Sequence, residues 1–301
     1  MRKKSNLVVM SIFLTILLCL FNLNSQPTFN QTTSADSVRL VADTKNIEGL
    51  PKHFRKTTDS LKVEDGKPLN LKGLSNLNAS GSSQFSPKNI KLLKESIGTN
   101  LPIVVVDLRQ ESHGFINDTP VSWLGPKNKA NLGLSKDQVL KDEKVKLQAI
   151  QLGKSVTIGD ESIIPTKVQD ENELVKSVGM SYMRIPVTDN MRPTDEMVDY
   201  FIEFFNSLPD NTWLHFHCKA GIGRTTTFMT MYDIMRNAKH VSLEDIMNRQ
   251  VLLGGKNLLY AENNLTGESA QRSEFIKNFY NYSVQNNDNF KTTWSKWLKV
   301  Q

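Results

Sequence analysis

Cysteine is almost absent from this 301-residue chain: there are two, Cys19 and Cys218. Cys19 falls in the leading segment, so a chain trimmed of that segment keeps one thiol. It then has no intramolecular disulfide, and the fold must rest on its core. Histidine is scarce as well, with five in the chain, and neither zinc-type nor calcium-loop spacing is visible among the histidines and acids. Internal repeats are lacking. Acidic residues are missing before Asp36, whereas Arg2, Lys3 and Lys4 precede an apolar stretch from Leu7 to Phe21.

That opening has the build of a targeting segment: a charged start, an apolar middle, and a polar end from Asn22 to Gln26 with Ser25 as a small residue before cleavage. Residues 1–25 are expected to be a signal peptide first, an uncleaved anchor second and a lipoprotein signal third, since Leu18 before Cys19 is bulky. Export from a bacterial cell follows, and a membrane enters only if the segment stays attached. A lone thiol outside the cytoplasm is open to oxidation, which makes most sense if chemistry needs it. Hydrophobic content of 39% and charge of 23% are those of a globular protein, and a net charge of +6 suits an anionic substrate without calling for nucleic acid. The composition sets no oligomeric state.

What the chain does have is one stretch that the rest serves, Trp213 to Arg236. Trp213 to His217 suits a short buried strand, and from Thr225 the apolar residues Phe228, Met229, Met231, Tyr232 and Met235 fall at helical spacing. Between them lies Cys218-Lys219-Ala220-Gly221-Ile222-Gly223-Arg224. Glycines let such a loop turn its N–H groups inward, and the helix that follows adds unpaired donors and the positive end of its dipole. The result is a nest for a phosphate-sized dianion, with Arg224 as a bidentate fork and a field that favours the thiolate of Cys218. A thiolate beneath a bound phosphate is an in-line nucleophile. The order His217, Cys218, five residues, Arg224, then the hydroxyl of Thr225 resembles the signature loop of the protein tyrosine phosphatase superfamily.

The remaining chain supplies a frame. Residues 26–48 are polar and read as a flexible linker, with a catalytic domain over 49–301. A helix is expected from Ser86-Pro87 through Leu93, with Ser86 as its cap. Ile103 to Leu108 is a β-branched run, hence a central strand, and it leads into the polar cluster Arg109 to Gly114 at the strand end where α/β sites gather. Trp123 to Asn131 reads as loop. Further helices are expected from Ser135, from Glu171, over Asp195 to Asn206 capped by Thr194, over Ser242 to Gln250, and over Ala270 to Val284. Short strands surround a Gly-Asp turn between Ser155 and Lys167. A leaving alkoxide needs a proton, and Asp189, on a loop after the strand Tyr182 to Val187 and 29 residues before Cys218, is the candidate general acid.

Beyond the loop, the chain resembles the bacterial cysteine phytases, tyrosine-phosphatase-like enzymes acting on inositol phosphates. The stretches that carry this are Asp107 to Phe115, Val121-Ser122-Trp123, Ala130 to Gly133, Thr188-Asp189, Trp213 to Thr226, Arg249-Gln250 with Gly254-Gly255, and Trp294 to Lys299. The resemblance implies an α/β fold: a tyrosine-phosphatase-like core whose mostly parallel central sheet is flanked by helices, beside a small partial β-barrel, drawn at about 55–80 and 110–170. It implies Asp189 as the acid, no metal and no cofactor. It points to Arg55 and Arg272 as contacts for a substrate with several phosphates, followed by Lys127, Lys219, Lys256 and Lys277, with His217, Ala220, Gly221, Ile222 and Gly223 around the bound group. The chain departs from the family at Asn190 after the acid, at Asn128 after Trp123, in a shorter Gly159 to Lys167, and in Lys219, where an acid is common. These departures bear on the preferred phosphate position. The expected function is an exported phosphomonoesterase working on inositol polyphosphates through a phosphocysteine. The alternatives are a phosphotyrosine phosphatase and a catalytically silent phosphate-binding module, and the presence of Cys218, Arg224 and Asp189 together argues against the last.

Overall fold

β-branched and aromatic runs set the centre of the protein. In the computed structural model, which describes residues 37–45, 47–63, 68–259 and 267–301, Val38–Gln301 form a unit of their own. The expected targeting segment lies outside the described residues. Among those residues, no helix is long and apolar enough to cross a membrane.

The strands are β1 (Arg39–Ala42), β2 (Arg55–Lys56), β3 (Ala79–Ser82), β4 (Ile103–Arg109), β5 (His113–Ile116), β6 (Thr119–Leu124), β7 (Val156–Ile158), β8 (Glu161–Ile163), β9 (Val168–Gln169), β10 (Ser181–Val187) and β11 (Trp213–His217). The helices are α1 (Ile90–Ile97), α2 (Lys136–Gln148), α3 (Glu171–Ser177), α4 (Asp195–Ser207), α5 (Gly223–Asn237), α6 (Leu243–Leu252), α7 (Gly267–Gln285) and α8 (Trp294–Leu298). The main sheet has the order β10-β4-β11-β3-β2; its pairs are parallel except β2 with β3. This is the mostly parallel, helix-flanked core expected from the sequence.

Strand alternation divides the core in two. Ile103 and Val105 of β4 and Trp213 of β11 face one side, with Leu93 and Ile97 of α1 and Leu174 and Val175 of α3. Val106 and Leu108, with Leu214 and Phe216, face the other, against Phe201 of α4, Phe228 of α5, Ile246 of α6 and Phe279 of α7. Helix α5 is buried from Arg224 through Met235, threonines included.

A second, antiparallel sheet runs β1-β6-β5-β9, with the β7-β8 hairpin beside a small core of Ile116, Val121 and Ile158. Four boundaries differ from the sequence reading. The stretch read as linker already holds β1, whose Leu40 and Val41 pair with Trp123 and Ser122; its surroundings are polar, so local composition hid a strand that exists through pairing. Residues 55–80 do not belong to the small sheet, because β2 and β3 extend the main one. Trp123, read as loop, lies within β6. The first helix also starts later: Ser86 and Asn89 cap each other's backbone across a turn, and α1 then runs from Ile90 to Ile97. Ser135, Asp170, Thr194 and Ser242 each accept the N–H three residues on, capping α2, α3, α4 and α6.

Candidate active site

Strand β11 ends at His217, and Cys218 follows at its C-terminal end, where the parallel sheet opens. The next five residues turn into α5. The turn depends on Gly221, which sits at φ 76° with Ser83 N only 2.3 Å from where a Cβ would lie. Its N–H points at Cys218 Sγ over 3.3 Å, and the Thr225 hydroxyl donates to the same sulfur over 3.3 Å. Unlike the four capped helices above, α5 has no side-chain cap. Its first N–H groups are therefore free to serve an anion.

Arg224 closes the cup. Its side chain is 1% exposed; Nη1 donates to Glu111 Oε2 at 2.7 Å and to the Val187 carbonyl at 3.0 Å, and Nη2 donates to Glu111 Oε1 at 3.0 Å. Nε has no partner among the described residues. Burial opposes the charge, but Glu111 and the Cys218 sulfur outweigh it and keep Arg224 ionised beyond its ordinary range. Glu111, equally buried, is held well below the carboxylate range because Arg224 and Arg109 overcome the cost of desolvation.

Asp189, the acid expected from the sequence, lies beside Arg224. It is half-buried, with Oδ1 3.2 Å from Arg224 Nη2 and Oδ2 accepting from the Asn128 side-chain amide at 3.1 Å. The preceding Thr188 donates to Gln110 at 2.6 Å and pins this loop to the end of β4. Lys127 and Asn128 both adopt left-handed backbone, at φ 51° and 58°, which turns Asn128 toward Asp189.

The structure brings Cys218, Arg224, Thr225, Asp189 and Arg272 together, with Gly221 and Gly223 in the loop. Arg272 donates to the Met191 carbonyl at 3.2 Å, and its Nη1 lies 3.5 Å from the Cβ position of Gly223. Burial and then the like charge of Arg224 lower its pKa, while Asp189 and Cys218 work the other way. Arg55 serves the loop from behind: Nη1 donates to the Gly221 carbonyl at 2.9 Å, and Nη2 to Thr226 Oγ1 at 3.3 Å. Burial pulls it down to about 10 against the opposing influence of the sulfur.

The other expected contacts differ in placement. His217 was placed around the bound group, but strand alternation turns it to the far side of the sheet, against Phe85, with Nε2 2.6 Å from Glu171 Oε1. Lys219 reaches back to Asp43 at 3.1 Å. Lys127 is exposed on the rim of a cavity of about 760 Å³ shared with Asp189, Asn190 and Glu268. The side chains of Lys256 and Lys277 are exposed, and Lys277 lies five positions along α7 from Arg272, on another face. Among the described residues, Asp107, Glu171 and His217 bring possible metal-ligand atoms within 4.8 Å of one another. Arg184 already donates to Asp107 at 2.7 Å there, and His113 lies 3.2 Å from Glu171, so that cluster carries its own cations.

Sequence reasoning located Glu111 in the polar cluster after β4 but not its hold on Arg224, and it missed Asp43 altogether. The signal for Glu111 was a polar cluster at the C-terminal end of a strand that opens with the β-branched run Ile103 to Val106.

A parallel sheet with a thiol, an uncapped helix and a buried arginine at its open end defines a tyrosine-phosphatase-like protein. The family model PTPlike_phytase, described as inositol hexakisphosphate, matches residues 106–236. The PTP-like phytase from Bdellovibrio bacteriovorus superposes with a TM-score of 0.75 at 33% identity, over 90% of this chain and 99% of that one. The PTP-like myo-inositol phosphatase from Mitsuokella multacida, in complex with myo-inositol-(1,3,4,5)-tetrakisphosphate, superposes with a TM-score of 0.82 at 35% identity, over 94% of this chain and 52% of that one. Effector protein hopD2 of Pseudomonas syringae pv. tomato is 31% identical over 274 residues, 82% of this chain and 57% of that protein. The chain thus spans about half the length of the latter two. It belongs to the PTP-like phytase family, a family of phosphoric monoester hydrolases.

Proposed function

We propose that the protein is an exported phosphomonoesterase that hydrolyses inositol polyphosphates through a phosphocysteine. The observation that carries the chemistry is the convergence on one sulfur: Gly221 N–H and Thr225 Oγ1 each lie 3.3 Å from Cys218 Sγ, beside a guanidinium clamped by a buried carboxylate. The sulfur attacks phosphorus as the bond to the leaving oxygen breaks, and Asp189 gives that oxygen its proton. Asp189 then takes a proton from water, whose oxygen displaces the sulfur and releases phosphate. Arg224 and the loop N–H groups hold the equatorial oxygens, where charge builds in the transition state. A phosphate in the cup takes over the donor that Arg224 offers Asp189, which frees the carboxyl for the leaving oxygen. The Thr225 hydroxyl stabilises the departing sulfur.

Inositol polyphosphates are favoured as substrates by the inositol tetrakisphosphate bound to the Mitsuokella relative and by Arg272, buried beside the cup. The basic, apolar leading segment and the relative named an effector support export. The test is phosphate release compared across inositol hexakisphosphate, a phosphotyrosine peptide and a simple aryl phosphate. The expected order has inositol hexakisphosphate first in kcat/KM. Turnover of the peptide with none of the inositol phosphate would replace this reading with a phosphotyrosine phosphatase.

A further inference from the structure

Behind the cup runs a buried row of alternating charge. Arg224 is held by Glu111, Glu111 also accepts from Arg109 Nε at 2.9 Å, and Arg109 in turn donates from Nη1 and Nη2 to Asp43 at 2.7 and 3.3 Å. The side chains of Asp43, Arg109 and Glu111 are all 0% exposed. Asp43 lies just after β1, in the small sheet, and accepts from Ser122 at 2.7 Å as well as from Lys219 of the signature loop.

We propose that Asp43 is a positioning residue of the active site, acting through Arg109 and Glu111 to aim Arg224. Two guanidiniums share one carboxylate: Glu111 Oε1 receives both Arg109 Nε and Arg224 Nη2. In a site closed to water, neither can turn to solvent for a counter-charge. Asp43 settles the competition because it satisfies the outer edge of Arg109 and leaves Glu111 to Arg224. Without its charge, Glu111 is the one carboxylate still ion-paired to Arg109 among the described residues, beside the neutral Gln84 Oε1 at 2.6 Å and the more distant charge of Asp107, and Arg109 draws it off the guanidinium that must meet phosphate. Lys219 hangs from the same carboxylate, which explains why a lysine next to the nucleophile points away from it.

The inference rests on the phosphatase reading, and its test separates the two. In the full chain, Asp43→Asn is expected to lower kcat on an aryl phosphate about tenfold and to weaken inhibition by orthovanadate, a mimic of the flat transition state, by about the same factor. The loss should persist in a Lys219→Met background, since the route runs through Arg109. Adding Arg109→Met to Asp43→Asn removes the competitor and should bring vanadate affinity back to within about threefold of wild type. That double variant replaces a buried ion pair with an apolar and a neutral side chain, so it also serves if the single variant does not fold. Wild-type kcat and vanadate affinity in Asp43→Asn, whatever its stability, would overturn the proposal. So would a loss that vanishes with Lys219→Met, or one that the added Arg109→Met fails to reverse. An inactive wild-type enzyme would reject the phosphatase reading, and this inference with it; an active wild type matched by Asp43→Asn would reject this inference alone.

Discussion

Replacing Glu111 with glutamine tests how much the cup depends on a residue that never meets substrate. The carboxylate accepts two N–H bonds from Arg224, at 2.7 and 3.0 Å, and one from Arg109 at 2.9 Å. Glutamine keeps one oxygen and sets an NH₂ against a guanidinium, so a charge-assisted bond becomes a donor–donor contact. Breaking a buried pair costs about 3–5 kcal/mol. Here Arg109 retains Asp43, and Arg224 retains the Val187 carbonyl and Asp189, which puts the cost near the lower end, about 3 kcal/mol. Misplacing a donor aimed at developing charge costs about a hundred- to a thousandfold in kcat. Denaturant titration should therefore show a lower midpoint, and steady-state kinetics on an aryl phosphate a kcat reduced by about a hundredfold or more. A variant that keeps kcat within threefold and unfolds at the wild-type midpoint would refute the argument that Glu111 holds Arg224 in place.

Further outcomes follow from the same geometry. Cys218→Ser should abolish turnover in a folded protein, and substantial residual activity would reject the covalent route. Asp189→Asn should slow an alkyl phosphate far more than an activated aryl phosphate, whose leaving group needs no proton; equal slowing removes it as the acid. Gly221→Ala forces a Cβ to 2.3 Å from Ser83 N in a left-handed turn, so inactivity is expected, and an alanine variant within a few-fold of wild-type kcat would show that the loop can shift. Stability should fall on both sides of neutrality. Asp43 and Glu171 titrate at about 2 in the fold, because arginine and histidine charges there overcome desolvation, so their contribution is complete above the ordinary carboxylate range and is lost as pH drops toward 2. His215, kept neutral by burial down to about 3, adds to the acid-side loss from about pH 6.5 downward. His113 is raised to about 10 by Asp107 and Glu143 against burial and Arg109, so its contribution is complete below about pH 6.5 and is lost as pH rises through 10. Denaturation midpoints that stay level from pH 7 to 3 would contradict this assignment.

The signature loop was legible because its requirements are local: a strand, a nucleophile, glycines and a helix within a dozen residues. The position of Asp189 beside that loop followed from a strand end and its distance along the chain. The parts that stayed hidden are pairings between distant residues. Glu111 and Arg224 are 113 positions apart, and Asp43 and Arg109 are 66 apart, the former in a polar stretch that reads as linker. Lys219 misled for a related reason: its charge next to Cys218 suggests phosphate, and only the fold supplies the acid that claims it. His217 was misplaced because a motif neighbour of the nucleophile need not share its side of the sheet; one step along a strand reverses the direction of a side chain.

The helix after Cys218 is buried from Arg224 through Met235, whereas Asp189 rides on a partly exposed loop held by single bonds from Thr188, Asn128 and Arg272. The two halves of the chemistry therefore differ in freedom. Buried helical amides such as those of the floor are expected to exchange slowly, and adjustment to ligands of differing bulk then falls to the roof. Variation in which ester is cut can thus accumulate around Lys127, Asn128 and Asn190 without disturbing the machinery below.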